Sequence, residues 1–115
     1  MSEQLASFSD RLVEAMNNRG ITAKELSEKT GIGQSSISHY VSGRYRPTND
    51  RVFLFADSLS VSPEWLMGFD VPMDVKEFHE HKMAERIAIY TAKLLKLDAE
   101  DQDFIFRQID LLSKN

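Results

Sequence analysis

Residues 21–47 read ITAKELSEKTGIGQSSISHYVSGRYRP, two short helical patterns set around one glycine. Leu26, Ile32, Ile37, Tyr40 and Val41 recur at spacings that let a helix, a turn and a second helix point their apolar side chains at one core. Thr22 with Glu25 three positions on is a capping-box pattern, which starts the first helix near Ala23. Gly31 ends it, because a glycine after Lys29 and Thr30 accepts the left-handed conformation that closes a helix. The second helix follows after a turn of roughly three or four residues, and so short a turn forces a steep crossing.

With Ile37, Tyr40 and Val41 turned inward, a step of about 100° per residue puts Ser35, Ser36, Ser38, His39 and Ser42 on the opposite face, with Gln34 at its amino end. No acid lies between Ile32 and Arg46. Small hydroxyls let a helix sink into a groove, Gln pairs with adenine through two hydrogen bonds, and Ser and His donate to base edges or phosphates. The face therefore suits the major groove of DNA. A merely solvated serine-rich face is the plainer alternative, and the turn glycine and the basic loop that follows weigh against it. His39 is either a passive neutral donor or a group whose charge, changing near neutral pH, tunes a phosphate or guanine contact.

The segment resembles the XRE-type, or Cro/repressor-type, helix-turn-helix family, and within it the repressors of temperate phages. The likeness runs from about residue 5 to 72 on Leu26, Gly31, Ile32, Gln34, Ser35, Ile37, Ser38, Gly43 and Pro47, then on SLSVSPEWLMG at Ser58 to Gly68, which is similar to the family's fifth helix. It implies an all-α, five-helix, lambda-repressor-like DNA-binding domain. It also implies that Gln34, Ser35, Ser38 and His39 reach base edges and that Ser42, Tyr45 and Thr48 hold phosphate or flanking bases. Thr22, Lys24, Ser36, Arg44, Arg46 and Asn49 are expected beside them at backbone or flanking positions. Three residues depart from the family: Ala23 stands where a bracing Gln is usual, Ser27 where a small alanine is usual, and Val41 where a Glu is frequent. These leave the fold intact and bear on which operator is read.

The 115 residues carry a net charge of −4, are 42% hydrophobic and contain no cysteine, so a core is within reach and no disulfide or thiolate metal site exists. No long apolar run or signal peptide is present, which implies a soluble cytoplasmic protein without a membrane partner. An acidic chain is at first sight a poor ligand for phosphate. The distribution answers this: between Gly33 and Ala56, Arg44, Arg46 and Arg51 face the single acid Asp50. The favourable field is local.

Phe8, Leu12, Val13, Ala15 and Met16 mark an amphipathic first helix ending near Gly20. GRYRP at 43–47 is a turn that stops the recognition helix. Thr48 or Asn49 caps a fourth helix bearing Val52, Phe53, Leu54, Phe55, Ala56 and Leu59, whose first amides either hold a phosphate or are simply capped. Ser62, Pro63 and Glu64 open a further helix on which Trp65, Leu66 and Met67 close the core, an exposed partner surface at Trp65 being the alternative. The expected organisation is a reading domain at 1–70, a linker at 71–76 and a helical hairpin at 77–115.

In that hairpin Met83, Ile87, Tyr90, Leu94 and Leu97 alternate spacings of four and three, a heptad seam, and Asp98 with Asp101 caps a last helix bearing Phe104, Ile105, Ile109, Leu111 and Leu112. Such a hairpin exposes more apolar surface than it covers alone, so it either folds back on the first helices or pairs with a second copy; pairing is favoured, with Met83, Ile87, Tyr90, Leu94, Leu97, Ile105, Ile109 and Leu112 as the dimer surface. Residues 75–115 have no room for the self-cleaving peptidase domain that many repressors of the family carry, so release from DNA is expected to need an antirepressor protein, a ligand or another protease. Glu77, His79, Glu80 and His81 lack metal-ligand spacing, since His79 and His81 point to different sides of a helix. No catalytic motif or cofactor is expected. The function expected is a sequence-specific, dimeric prophage repressor on a double-stranded DNA operator. An antitoxin or restriction-modification controller is the neighbouring alternative, and a protein-interaction module that kept the fold is the distant one.

Overall fold

The structure is a computed structural model and describes residues 4–113; the outermost ends of the predicted first and last domains lie outside the described residues. Its helices are α1 (Phe8–Arg19), α2 (Ala23–Thr30), α3 (Gln34–Val41), α4 (Asn49–Leu59), α5 (Pro63–Leu66), α6 (Val75–Leu95) and α7 (Ala99–Ser113). The architecture is all-α, as the sequence implies. The chain divides into two compact units, Met1–His81 and Lys82–Asn115. Among the described residues no helix is long and apolar enough to cross a membrane.

The first unit is built around Leu12, Leu26, Ile37, Phe55, Leu59 and Leu66, each at 0–1% exposure, with Ile32, Tyr40, Val52, Val61, Trp65 and Val71 closing over them. Burial of each such side chain is worth about 1.5–3 kcal/mol, so a core of this size decides the fold. Helix ends follow the sequence signals. Gly20 and Gly31 stop α1 and α2 in the left-handed conformation, and the side chains of Ser7, Thr22, Thr48 and Ser62 cap α1, α2, α4 and α5. Phe53 departs from the expected α4 core: it is 55% exposed, because a run of five apolar residues on a helix cannot all face one side.

The stretch read as a linker, 71–76, is packed in the structure. Val71 is buried, the Ser62 amide donates to the Met73 carbonyl at 2.9 Å, and Val61 forms an antiparallel bridge with Asp74. Asp74 Oδ1 then accepts from the Glu77 amide at 3.1 Å and starts α6. A second bridge, Gln4 with Phe69, ties the start of the chain to the end of α5, and the Leu5 amide donates to the Gly68 carbonyl at 2.7 Å. The extended segments were opaque to periodicity because each pairs over only one or two residues.

In the second unit Asp98 Oδ1 accepts the Asp101 amide at 2.9 Å, the expected cap of α7. The Gln102 side-chain amide donates to the Leu94 and Leu97 carbonyls at 3.0 and 3.2 Å and closes the hairpin. Leu97 lies beyond the end of α6, in the turn, so the heptad seam leaves the helix one position early.

Candidate nucleic-acid interface

Two helices and one turn position the reading face. The Thr22 hydroxyl accepts the Glu25 amide at 3.2 Å while Glu25 Oε1 accepts the Thr22 amide at 3.3 Å, the reciprocal capping box that fixes the start of α2. At its other end the Thr30 hydroxyl donates to the Leu26 carbonyl at 2.7 Å and accepts the Ile32 amide at 3.1 Å, so one side chain braces both sides of the turn. Ser9 Oγ donates to the Val41 carbonyl and anchors the end of α3 to α1. Sequence reasoning passed over Thr30 and Ser9. A threonine in the last turn of a helix was the available signal for the first, and none marked the second.

On α3, Ile37 and Tyr40 are buried, while Gln34, Ser35 and Ser38 are exposed and Ser36 and His39 are half-buried. Ser42, at the helix end, is exposed. No side chain caps the amino end of α3, where Gly33 stands, so its first amides point outward without a side-chain acceptor. Val41 is half-buried and packs on the core. Thr22 and Lys24 are exposed at the start of α2, and Arg44, Tyr45, Arg46, Thr48 and Asn49 are exposed after α3. The Thr48 hydroxyl accepts the Arg51 amide at 3.3 Å and so caps α4.

The turn after α3 is bound to it tightly. The His39 carbonyl accepts the Arg44 amide at 2.9 Å, the Tyr45 amide at 3.2 Å and the Ser42 hydroxyl at 3.1 Å. Gly43, at φ 82°, makes that reversal without a Cβ penalty. Rings continue the connection from the core outward: Phe55 to Tyr40 at 5.3 Å, Tyr40 to Tyr45 at 5.6 Å, and Tyr45 to His39 at 4.6 Å. His39 and Tyr45 thus share one rigid corner.

Among the described residues Arg44, Arg46 and Arg51 take part in no ion pair, so their charge is uncompensated within the chain. The geometry offers a polar, acid-free helix face followed by a turn that carries Arg44 and Arg46. Among the described residues no group of three or more His, Asp and Glu side chains is placed to hold a metal ion.

A second exposed surface lies on the hairpin. Ile87, Tyr90, Leu94, Leu97, Ile105 and Ile109 line a groove of about 330 Å³, joined by Thr91 and Lys93. Met83 and Leu112, expected on the same surface, are exposed and stand outside the groove lining.

Residues 12–66 match the helix-turn-helix family. Over 64 residues the chain is 34% identical to the HTH-type transcriptional regulator ImmR of Bacillus subtilis (strain 168), an alignment that takes in 56% of this chain; the chain spans about half of that relative, 50% of its length. A crystal structure of a transcriptional regulator from Listeria innocua superposes with a TM-score of 0.53 over 96% of this chain and 95% of that one, at 14% identity, a likeness of fold.

Proposed function

We propose, from the match of residues 12–66 to the helix-turn-helix family and from the geometry of α3, that the protein is a DNA-binding transcriptional regulator, and specifically a prophage repressor that occupies a pseudo-palindromic operator as a dimer. The observation that carries this is the two-sidedness of α3: Ile37 and Tyr40 are locked in the core while Gln34, Ser35 and Ser38 stand exposed with no acid among them. Only a helix held rigidly from behind can present polar groups to base edges in a fixed register.

In this reading Gln34 takes adenine, Ser35, Ser38 and His39 meet neighbouring base edges, and the bare amides at the start of α3 face a phosphate. Ser36, Ser42, Arg44, Tyr45, Arg46, Thr48 and Asn49 line the flanking backbone on one side, and Thr22 and Lys24 line it on the other. Two such faces about one helical turn apart read an inverted repeat, and repression follows from occupying a promoter. The hairpin supplies the second copy, because its exposed seam has no cover within its own unit. An antirepressor protein is the partner chemistry that would release such a complex.

Replacing Gln34 and Ser35 together with alanine tests the reading. The double variant is expected to lose discrimination at about two base pairs, each worth about 1–3 kcal/mol, while keeping its affinity for unrelated duplex. Weak binding to every duplex, unchanged by the replacement, would instead place the function of this surface with a protein partner.

A further inference from the structure

Neither α6 nor α7 buries a residue, and within the second unit the two arms of the hairpin, from Lys82 to Lys96 and from Leu97 onward, carry opposite charge. From Lys82 to Lys96 the basic residues Lys82, Arg86, Lys93 and Lys96 face one acid, Glu85. From Leu97 to Ser113 the acids Asp98, Glu100, Asp101, Asp103 and Asp110 face one base, Arg107. Neighbouring helices of opposite sign would be expected to pair across the hairpin. Yet among the described residues Arg86, Lys93, Lys96, Asp101, Asp103 and Asp110 take part in no ion pair.

The charges are ordered around the apolar groove. Arg86 and Lys93 each stand one residue before a seam residue, Ile87 and Leu94, and so share one flank of α6. Lys93 lines the groove itself, its ammonium 5.2 Å from the centre of the Tyr90 ring. On α7, Asp101 holds the equivalent place, one residue before Gln102, which closes the hairpin onto Leu94 and Leu97. Flanking positions of this kind choose partner and orientation in paired helices. Between the flanks, Met83, Ile87, Tyr90 and Ile109 are each more than half exposed, at 52%, 59%, 56% and 55%.

We propose that this groove is filled by the hairpin of a second copy of the chain, crossed so that α6 of each copy lies along α7 of the other. The inference rests on the dimer reading above and adds which helix meets which. Pairing α6 with α6 would set Arg86 and Lys93 against like charge, and pairing α7 with α7 would set acid against acid. The crossed arrangement satisfies twofold symmetry and matches opposite charges twice. It also accounts for ionic groups left unpaired within each hairpin.

Charge reversal in the full-length chain tests it by sedimentation. Arg86→Glu with Lys93→Glu in one variant, and Asp101→Lys in the other, are each expected to weaken self-association by about tenfold or more; mixing the two should restore association to within about threefold of the unmodified chain. The unmodified chain should itself associate more weakly as salt is raised. Restoration in the mixture also shows that both variants fold. If each variant associates as the unmodified chain does, or if the mixture stays dissociated, the crossed docking is overturned while a dimer of another geometry stands. If the unmodified chain is a monomer at micromolar concentration, the dimer reading and the docking fall together, and the groove belongs to a different protein.

Discussion

Gly68 sits at φ 99°, and the position of a Cβ there falls 2.0 Å from the Ala6 carbonyl oxygen. Neither the backbone nor the contact admits a side chain, so Gly68→Ala is expected to lose about 2 kcal/mol or more in urea denaturation. A loss within experimental error would mean that the pairing of the chain start with the end of α5 does not hold in solution. Trp65 is a different kind of residue. Its burial was legible in the sequence as the closing aromatic of the core, and the alternative of a partner surface is excluded by its 5% exposure. What no pattern disclosed is its cover. Arg11, 54 positions earlier, lies 4.6 Å over the ring and donates to the Trp65 carbonyl at 3.3 Å. Arg19 likewise donates to the Leu59 and Ser60 carbonyls at 3.0 and 2.9 Å. Such contacts join positions with no periodic relation, and charged residues in a helix read first as a solvated face.

Helices α1 to α5 were legible because each is bounded by a chemical stop or start that acts locally. Thr22 with Glu25, Gly31, and Ser62 before Pro63 act within one turn of the chain and need no knowledge of the fold. Thr22→Ala is accordingly expected to cost about 1 kcal/mol by loss of the capping box, measured as a lowered denaturation midpoint. A variant of unchanged stability would contradict the role given to the cap. The segment 71–76 packs although its composition reads as a linker, because turn residues also occur in chain that packs. Its one buried apolar side chain, Val71, is too little to register as a pattern. The α3 face could be read from spacing alone, whereas the corner made by His39, Tyr40 and Tyr45 could not, since it depends on three donors converging on the His39 carbonyl.

At the scale of the whole molecule, the net charge of −4 and the cationic strip beside α3 make opposite demands on the proposed DNA binding, and in that reading the strip decides because screening confines each to its surroundings. At least about two phosphate contacts per subunit are expected, a slope of log affinity on log salt near −1.8 per subunit; a shallower slope would count against the surface. Because the first unit extends through His81, a chain ending there should stay folded and bind DNA about tenfold or more weakly for want of its second copy. Equal affinity would remove the hairpin from the mechanism. A heptad announces that a helix has a partner, which is why the seam can be read from spacing, whereas which helix of a second copy meets which is set by flanking charge. The most direct test of the central claim is selection of the full chain against a randomised duplex library at near-physiological salt, with sequencing of the retained DNA. An enriched inverted repeat with half-sites about one helical turn apart is expected. Retention without any enriched sequence would contradict it.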